Sequence, residues 1–195
     1  MEGSGASERA DPAGTQPTPA RLSVFIASSL DGYIATRAGS LAWLDEAASS
    51  DEDYGYETFI QGVDALAMGR GTYDYIAHLD PMPFGGRPVF VFTHRPPTPR
   101  PGITFWQESP RTALDRWTAM GLGRVYVDGG ALISGFLAEG MIDDLVLTNV
   151  PVLLGDGLPL FHSIPVSTAL RLEGVQSWPS GFVNLTYSRV PSAGS

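Results

Sequence analysis

The sequence of 195 residues contains no cysteine, which excludes a disulfide framework and thiolate chemistry. Charged residues make up only 17%, and the net charge of -9 leaves no basic face of the kind that nucleic acids and anionic membranes require. No apolar run approaches the roughly 18 residues of a membrane span, and residues 1–20 lack the apolar centre of a signal peptide. We therefore expect a cytoplasmic enzyme or binding protein whose partner is a small molecule, not a nucleic acid or a membrane. With no cluster of cysteine and histidine, no metal site is expected either.

What the sequence does have is a hydrophobic content of 43%, enough for one domain with a sizeable core. Gly, Ala, Ser, Pro and Thr dominate residues 1–20, so we expect a disordered tail there. Residues 21–190 contain no internal linker and predict a single domain, followed by a short tail at 191–195.

Within that domain, short β-like runs alternate with helix-like runs. Strands are expected in RLSVFIASS, ALAMG, RPVFVFT, ITFWQ, RVYVDG and DDLVLTNVPVLL. Helices are expected in DEDYGYETFIQG, TYDYIAHL, SPRTALDRWTAMG (with Ser109 as N-cap) and ALISGFLAEG. STALRLEGVQSWP and FVNLTYSRV predict a terminal hairpin. The alternation indicates a single-domain α/β fold: a mostly parallel central sheet with an antiparallel C-terminal edge, flanked by helices.

Two glycine-containing turns follow predicted strands and open predicted helices. The first is Gly69-Arg70-Gly71-Thr72, where we expect Thr72 to be the helix N-cap. The second is Gly129-Gly130. Glycine lets the backbone approach a ligand, and the first amides of a helix lack an internal partner, so such turns can bind anions. The alternatives are a capped helix start with a solvated arginine at the first turn, and an ordinary tight turn at the second.

A third feature, Thr93-His94-Arg95, ends the strand predicted in VFVFTHRPP. In a parallel sheet, ligands gather outside the carboxyl ends of the strands, and all three features sit at such ends. Amides and guanidinium groups would then converge on one phosphorylated ligand. A pyrophosphate and one further phosphate would occupy both helix N-termini and the arginines, so the pattern favours NADPH over NADH.

The ordered motifs resemble the dihydrofolate reductase fold, specifically the bacterial dihydrofolate reductase-like proteins related to the reductase domain of riboflavin biosynthesis. Four segments carry this resemblance: SLDGYIA at 29–35, MGRGTY at 68–73, VFVFT at 89–93, and VDGGALISGFLAEGMIDDLVLTNVPVLLGDGLPLF at 127–161. The resemblance spans about residues 21–190. It implies an NADPH cofactor, and relatives of this kind often form homodimers, so we expect one here.

The resemblance also implies roles for individual residues. The NADPH site would comprise Ala27, Ile34 and Ala35 at the nicotinamide, Gly69, Arg70, Gly71 and Thr72 at the adenosine end, Thr93, His94 and Arg95 near the 2′-phosphate, and Asp128, Gly129, Gly130, Ala131, Leu132 and Ile133 at the pyrophosphate. TRAGSLAW would be a mobile loop that closes over the nicotinamide.

Two carboxylates are the catalytic candidates. By resemblance, Asp53, at the start of the helix that precedes the Gly-Arg motif, would supply a proton, and Asp31 in SLDG would lie near the nicotinamide pocket. The residues alone leave open that Asp53 only satisfies its helix N-terminus and that Asp31 only caps its turn. The substrate would contact four residues, although aromatic side chains at such spacing are often core: Trp43, Tyr54, Tyr56 and Thr148.

The sequence departs from the riboflavin-pathway reductases at one informative position. Phe25 stands on the first strand where those proteins usually carry a lysine, and these 195 residues contain no cysteine or histidine cluster of the kind that binds zinc in the deaminase domain often fused to them. We therefore expect an NADPH-dependent reductase of a small pterin-like or flavin-precursor-like heterocycle. The alternatives are the 5-amino-6-(5-phosphoribosylamino)uracil reductase of riboflavin biosynthesis and a non-catalytic NADP-binding protein.

Overall fold

The structure is a computed structural model that describes residues 17–162, 164–165 and 167–190. The strands, in chain order, are β1 Arg21–Ser29, β2 Tyr33–Ala35, β3 Ala65–Gly69, β4 Val89–Phe92, β5 Ile103–Trp106, β6 Arg124–Asp128, β7 Asp144–Val150, β8 Leu158–Pro159, β9 Leu170–Ser177 and β10 Val183–Arg189. The helices are α1 Ala42–Ala47, α2 Tyr56–Gln61, α3 Arg70–Ile76, α4 Pro110–Ala119 and α5 Gly130–Ala138.

Eight strands form one sheet in the order β5-β4-β3-β6-β1-β7-β10-β9. The six strands from β5 to β7 run parallel to one another. Strand β10 runs antiparallel to both of its neighbours, β7 and β9, and β10 and β9 form the C-terminal edge. The predicted α/β fold with a mostly parallel sheet and an antiparallel edge is confirmed. A small second sheet pairs β2 with β8, which the sequence did not predict.

Alternating side chains of the parallel strands build a core on each face of the sheet. On one face, Leu22, Val24 and Ile26 of β1 pack in a cluster with residues of α4 and α5, including Trp117 and Phe136. On the other face, α2 and α3 cover a second cluster. Its buried members are Phe59, Val63, Leu66, Met68, Tyr73, Phe84, Val89, Val91 and Tyr126. The sheet is therefore the middle of three layers, which is the arrangement that parallel strands need to bury both faces.

Several boundaries differ from the prediction. Helix α3 begins at Arg70 with Gly69 as its N-cap, so Thr72 lies inside the first turn and the predicted Thr72 cap is wrong. Strand β7 ends at Val150, before the apolar residues that follow it. Part of the predicted mobile loop is helical, since α1 begins at Ala42 and buries Trp43.

Other local predictions are confirmed. Ser109 caps α4 by accepting a hydrogen bond from the Thr112 amide at 3.2 Å, and Pro110 opens the helix. The turn between β9 and β10 closes with hydrogen bonds from Trp178 and Gly181 amides to nearby carbonyls. No helix of the described residues has the length and hydropathy needed to cross a membrane.

The predicted tails fall mostly outside the described residues, which begin at 17 and end at 190. Of the expected N-terminal tail, Ala20 is buried and its amide donates to the Thr118 hydroxyl at 3.1 Å. The folded domain therefore includes Ala20.

Candidate functional site

The carboxyl ends of β3, β4 and β6 lie side by side at one edge of the sheet. Gly69 at the end of β3 is in register with Phe92 of β4, and Met68 is in register with Asp128 of β6. Both glycine turns and the Thr93 turn therefore leave the sheet at the same edge, as the sequence pattern requires.

The two glycine turns are in direct contact. Gly129 has a φ of 94°, and a Cβ built there would lie 2.7 Å from Thr72 Oγ1 and 3.8 Å from the Gly69 amide nitrogen. Gly130 is even more confined, because its Cβ would lie 2.6 Å from the Pro159 carbonyl oxygen and 2.8 Å from that of Leu160. Glycine is therefore required at 129 by the positive φ and the nearby Thr72 hydroxyl, and at 130 by the close approach of two backbone carbonyl oxygens.

The first turn of α5 offers only some of the expected amides. The Ile133 amide donates to the Gly129 carbonyl at 2.9 Å, and its side chain is buried in the core, so Ile133 supports the helix without facing a ligand. The Gly129 amide donates to its neighbour Asp128 at 2.8 Å. Ala131 and Leu132 are exposed and half-buried, and as first-turn residues their amides have no partner within the helix.

Arg70 connects the two turns on the β3–β4 side. Its Nε donates to Asp74 at 2.7 Å, and its guanidinium also donates to the Arg95 carbonyl. The Arg95 amide in turn donates to the Thr93 hydroxyl at 3.1 Å. Gly71, His94 and the Arg95 side chain are exposed. The arrangement holds cationic groups at the surface beside the amides of the glycine turns.

The carboxyl halves of β1 and β6 do not pair with each other, and the unpaired region between them is called the opening. The two strands are in register only from Arg21 to Ser23, whereas β1 continues alongside β7 to Ser29. Beyond this point the Tyr126 hydroxyl donates to the Phe25 carbonyl at 2.7 Å, in place of a ladder hydrogen bond. The chain passes from β1 through β2 and α1 to α2, which covers one face of the sheet, whereas it passes from β6 directly to α5, which covers the other. This reversal is the type of position at which open α/β sheets bind ligands.

Asp128 ends β6 at this opening, on the same face of the sheet as Tyr126. Burial raises the pKa of the Asp128 carboxyl to about 6, against the opposing effect of the hydrogen bond from the Gly129 amide. With this pKa, about a tenth of the molecules carry a protonated Asp128 at pH 7, far more than for an ordinary aspartate, and the protonated form is the state a proton donor needs. The resemblance implied a role for Asp128 only in cofactor binding. Its position directly after an apolar strand is the sequence feature that could have indicated a buried carboxyl suited to donating a proton.

The two predicted catalytic carboxylates lie at turns. Asp53 is exposed and accepts hydrogen bonds from the amides of Gly55 at 3.0 Å and Glu57 at 3.3 Å, as a helix-start carboxylate does. Asp31 is also exposed; the Ser29 hydroxyl at 2.6 Å, with the Gly155 amide, holds the pKa of Asp31 below its usual range. An ionised Asp31 is poorly suited to donating a proton. Both catalytic roles stay predictions.

The predicted nicotinamide residues occupy three settings. Ala27 is half-buried on β1, in register with Thr148 of β7. Ile34 is half-buried and packs against the α4–α5 core, close to where a Gly130 side chain would lie. Ala35 is buried in β2. Of these, Ala27 lies on the strand that borders the opening.

A buried amide that the sequence did not single out organises the predicted substrate wall. Asn184 of β10 is 5% exposed; it accepts from the Thr148 hydroxyl at 2.7 Å and donates to the Tyr54 carbonyl at 2.7 Å. The Tyr54 ring stacks on Phe182 with centroids 4.4 Å apart. A third hydrophobic cluster is built on Trp43, Val150 and Phe182, and Ala27 and Tyr54 pack against it. Trp43 and Tyr54 therefore serve as core. Asn184 therefore fixes the loop that leads into α2.

The geometry defines an α/β protein in which two glycine turns and the Asp128 carboxyl lie together where the strand order of the sheet reverses. The family model of the RibD C-terminal domain matches residues 20–184, and the chain belongs to this family. The predicted resemblance is therefore confirmed, and this membership supports a reductase role.

Individual relatives agree with the family. The chain is 38% identical over 169 residues to the uncharacterized protein YwjB of Bacillus subtilis (strain 168), covering 85% of this chain and 96% of that protein. It is similar to a putative riboflavin biosynthesis protein from Shewanella sp. PV-4, with a TM-score of 0.81 and 33% identity over 88% of this chain and 99% of that one. A Thermotoga maritima diaminohydroxyphosphoribosylaminopyrimidine deaminase/5-amino-6-(5-phosphoribosylamino)uracil reductase shares the fold at 16% identity and a TM-score of 0.67, covering 88% of this chain and 57% of that one.

Proposed function

We propose that this protein is an NADPH-dependent reductase that transfers a hydride to a small heterocyclic substrate. The observation that carries the proposal is the contact between the two glycine turns, with 2.7 Å from the Gly129 Cβ position to Thr72 Oγ1, beside the opening that contains Asp128. Glycine at these positions lets the second turn pack against Thr72 and against the carbonyl oxygens of Pro159 and Leu160. This packing places the first turn of α5, whose free amides can bind a phosphate, next to Thr72.

The residues present fit a phosphorylated dinucleotide. The amides of Ala131 and Leu132, with Thr72, would hold the pyrophosphate, and Arg70 and Arg95 would face the adenosine phosphate. When bound, NADPH supplies the hydride. The chain's own contribution is to position the substrate in the opening between β1 and β6 and to exclude water from it.

We assign the proton to Asp128 rather than to Asp53 or Asp31. Its carboxyl has a pKa of about 6 and lies at the opening, whereas the other two are exposed and already accept hydrogen bonds from backbone amides. Protonated Asp128 would donate to the heteroatom of the reduced C=N or C=O bond, and solvent would then reprotonate it.

Two alternatives have specific support. The 5-amino-6-(5-phosphoribosylamino)uracil reductase activity is the one named for the Thermotoga maritima structural relative. A non-catalytic NADP-binding protein would need the same glycine turns but no proton donor. Turnover of NADPH with an aminouracil phosphate supports the first, and NADPH binding without oxidation by any heterocycle supports the second.

The test is calorimetric titration of the purified protein with NADPH and with NADH. NADPH is expected to bind more tightly, and Arg70→Ala should weaken NADPH binding at least tenfold, about 1.4 kcal/mol, because it removes a cation from the phosphate site. The matched control is Arg111→Ala, an exposed arginine on α4, which should leave NADPH affinity unchanged. Titration of NADPH without heat, or equal losses in both variants, would refute the cofactor assignment.

We also propose that the protein is a homodimer, which the family resemblance implied. Sedimentation velocity over a range of micromolar concentrations tests this directly. A single monomeric species at every concentration would reject it.

A further inference from the structure

The wall of the opening formed by β1 and α2 is aromatic. The Phe25 ring meets Tyr56 edge-on with centroids 5.6 Å apart, and it lies 5.1 Å from Phe59. Phe59 continues the cluster to Tyr126, 5.0 Å away. Phe25 and Tyr56 are only partly buried, so they are the cluster members that a ligand in the opening can reach. Such a surface suits a flat unsaturated ring, which gains from stacking or edge-on contact.

Cationic side chains, by contrast, are mostly engaged by carboxylates or backbone carbonyls. The 12 cationic residues of the sequence are all arginines. Among the described residues, one group lies at the amino-terminal edge of the sheet or in its last strand, where each arginine is paired with Asp143 or Asp144: Arg21, Arg124 and Arg189. Others pair with carboxylates at the surface: Arg37, Arg116 and Arg171. Arg111 is exposed on α4, and Arg70 and Arg95 belong to the proposed cofactor phosphates.

Two arginines beside the aromatic cluster already have partners. The Arg124 guanidinium lies 4.8 Å from the centroid of the Phe59 ring, and it donates to the Ser23 hydroxyl at 2.7 Å and to Asp144 at 2.9 Å. The field of Arg87 reaches the Tyr56 hydroxyl, but its Nε donates to the Val63 carbonyl at 2.7 Å and its Nη1 to the Phe84 carbonyl at 2.9 Å. Arg100 likewise donates to two backbone carbonyls. A phosphate on the substrate needs charge-assisted donors that are available to it, and the described part of this wall offers an aromatic ring instead.

We infer that the substrate is an uncharged, planar heterocycle without a phosphate group, held against Phe25 and Tyr56. The inference rests on the proposed function and narrows it. In the reaction, a C=N or C=O carbon of the ring gains the hydride, the heteroatom gains the proton of Asp128, and the dinucleotide leaves oxidised. Phe25 is thus a residue that determines specificity between neutral and phosphorylated substrates.

The experiment uses two matched ligand pairs with the protein saturated in NADP⁺. One pair is 5-amino-6-ribosylaminouracil and its 5′-phosphate; the other is dihydroneopterin with and without a phosphate. Calorimetry is expected to show at least tenfold tighter binding of the neutral member in every pair that binds. A smaller preference, tighter binding of a phosphorylated member in either pair, or binding of none of the four would overturn the inference.

The Phe25→Lys variant provides the gain-of-function test, and Phe25→Leu is its control. Lysine should shift the preference between the members of a pair at least tenfold towards the phosphate, whereas leucine should weaken both members similarly. An unchanged preference in Phe25→Lys would count against the assignment, provided that circular dichroism shows the variant folded. If it does not fold, the ligand pairs on the unaltered protein decide the question.

Titration with NADP⁺ before the ligands are added separates the two proposals. Without NADP⁺ binding, the proposed function itself fails. With NADP⁺ bound and a phosphorylated ligand preferred, only the inference about substrate class fails.

Discussion

Asp128→Asn replaces a partly buried carboxyl by an amide of the same shape that can still accept the hydrogen bond from the Gly129 amide. The pKa of Asp128 is raised from 3.8 to about 6, so the folded protein binds this proton more tightly than the unfolded chain does. As pH rises through the window from about 4 to 6, the unfolded chain releases the proton first, and the free energy of unfolding falls. Above about 6 the loss is complete and constant.

The size of the effect follows from the shift. At about 1.36 kcal/mol per pKa unit, the shift corresponds to about 3 kcal/mol, and solvent screening of a partly exposed carboxylate reduces this to about 1–2 kcal/mol. Asp128→Asn should therefore be more stable than the unaltered protein by about 1–2 kcal/mol at pH 7.5, with the difference shrinking towards pH 4.5. Urea denaturation at several pH values measures it. A stability difference that is the same at every pH would refute the raised pKa.

The same variant also tests the assignment of the proton. If Asp128 donates it, the rate of NADPH oxidation should fall as pH rises through about 6 in the unaltered protein, since the protonated fraction falls. Asp128→Asn should lose this pH dependence together with most of the activity. Retention of full activity would exclude Asp128 as the donor.

Two further variants probe the packing around the site. Gly130→Ala should lower the free energy of unfolding by about 3 kcal/mol or more, because its Cβ would meet two backbone oxygens within 3 Å. Gly135→Ala on the same helix meets nothing within 4 Å and should stabilise the protein by about 0.5–1 kcal/mol. Thermal melts that show equal effects of the two variants would contradict this contrast. Asn184→Ala should lower the free energy of unfolding by about 2–3 kcal/mol, because it leaves the buried Thr148 hydroxyl and the Tyr54 carbonyl unpaired. The control is Gln176→Ala, which removes an exposed amide on β9 and should change the free energy of unfolding in urea by less than about 0.5 kcal/mol. A loss below about 0.5 kcal/mol in Asn184→Ala would show that the Asn184 bridge, its hydrogen bonds to Thr148 and Tyr54, does not contribute to stability.

The elements that the sequence predicted well are those with a strong local signal. The apolar runs that became β1, Arg21–Ser29, and β3, Ala65–Gly69, end at turn-forming residues and have the predicted bounds. Helix α4 begins where Ser109 and Pro110 require it. The shared edge of the glycine turns followed from parallel topology alone, because the carboxyl ends of parallel strands coincide.

The features that escaped prediction depend on partners far along the chain. The bonds of Asn184 join residues separated by 36 and 130 positions, so no local pattern indicates them. Strands β2 and β8 are too short for a periodic signal and are defined only by their pairing. The role of Thr72 was mistaken because its hydroxyl lies against Gly129 of another turn, a tertiary contact that a local capping rule does not contain. The raised pKa of Asp128 likewise comes from burial that only the fold creates.

The Asn184 bridge has a consequence for the order in which the protein is made. Strand β10 follows the other nine described strands in the chain, yet it inserts between β7 and β9 and anchors the loop before α2. A nascent chain can assemble the parallel part of its sheet before β10 is synthesised, but the loop before α2 is held in place only once β10 has joined the sheet. A chain truncated ahead of β10 is therefore expected to have most of the scaffold without a finished cleft.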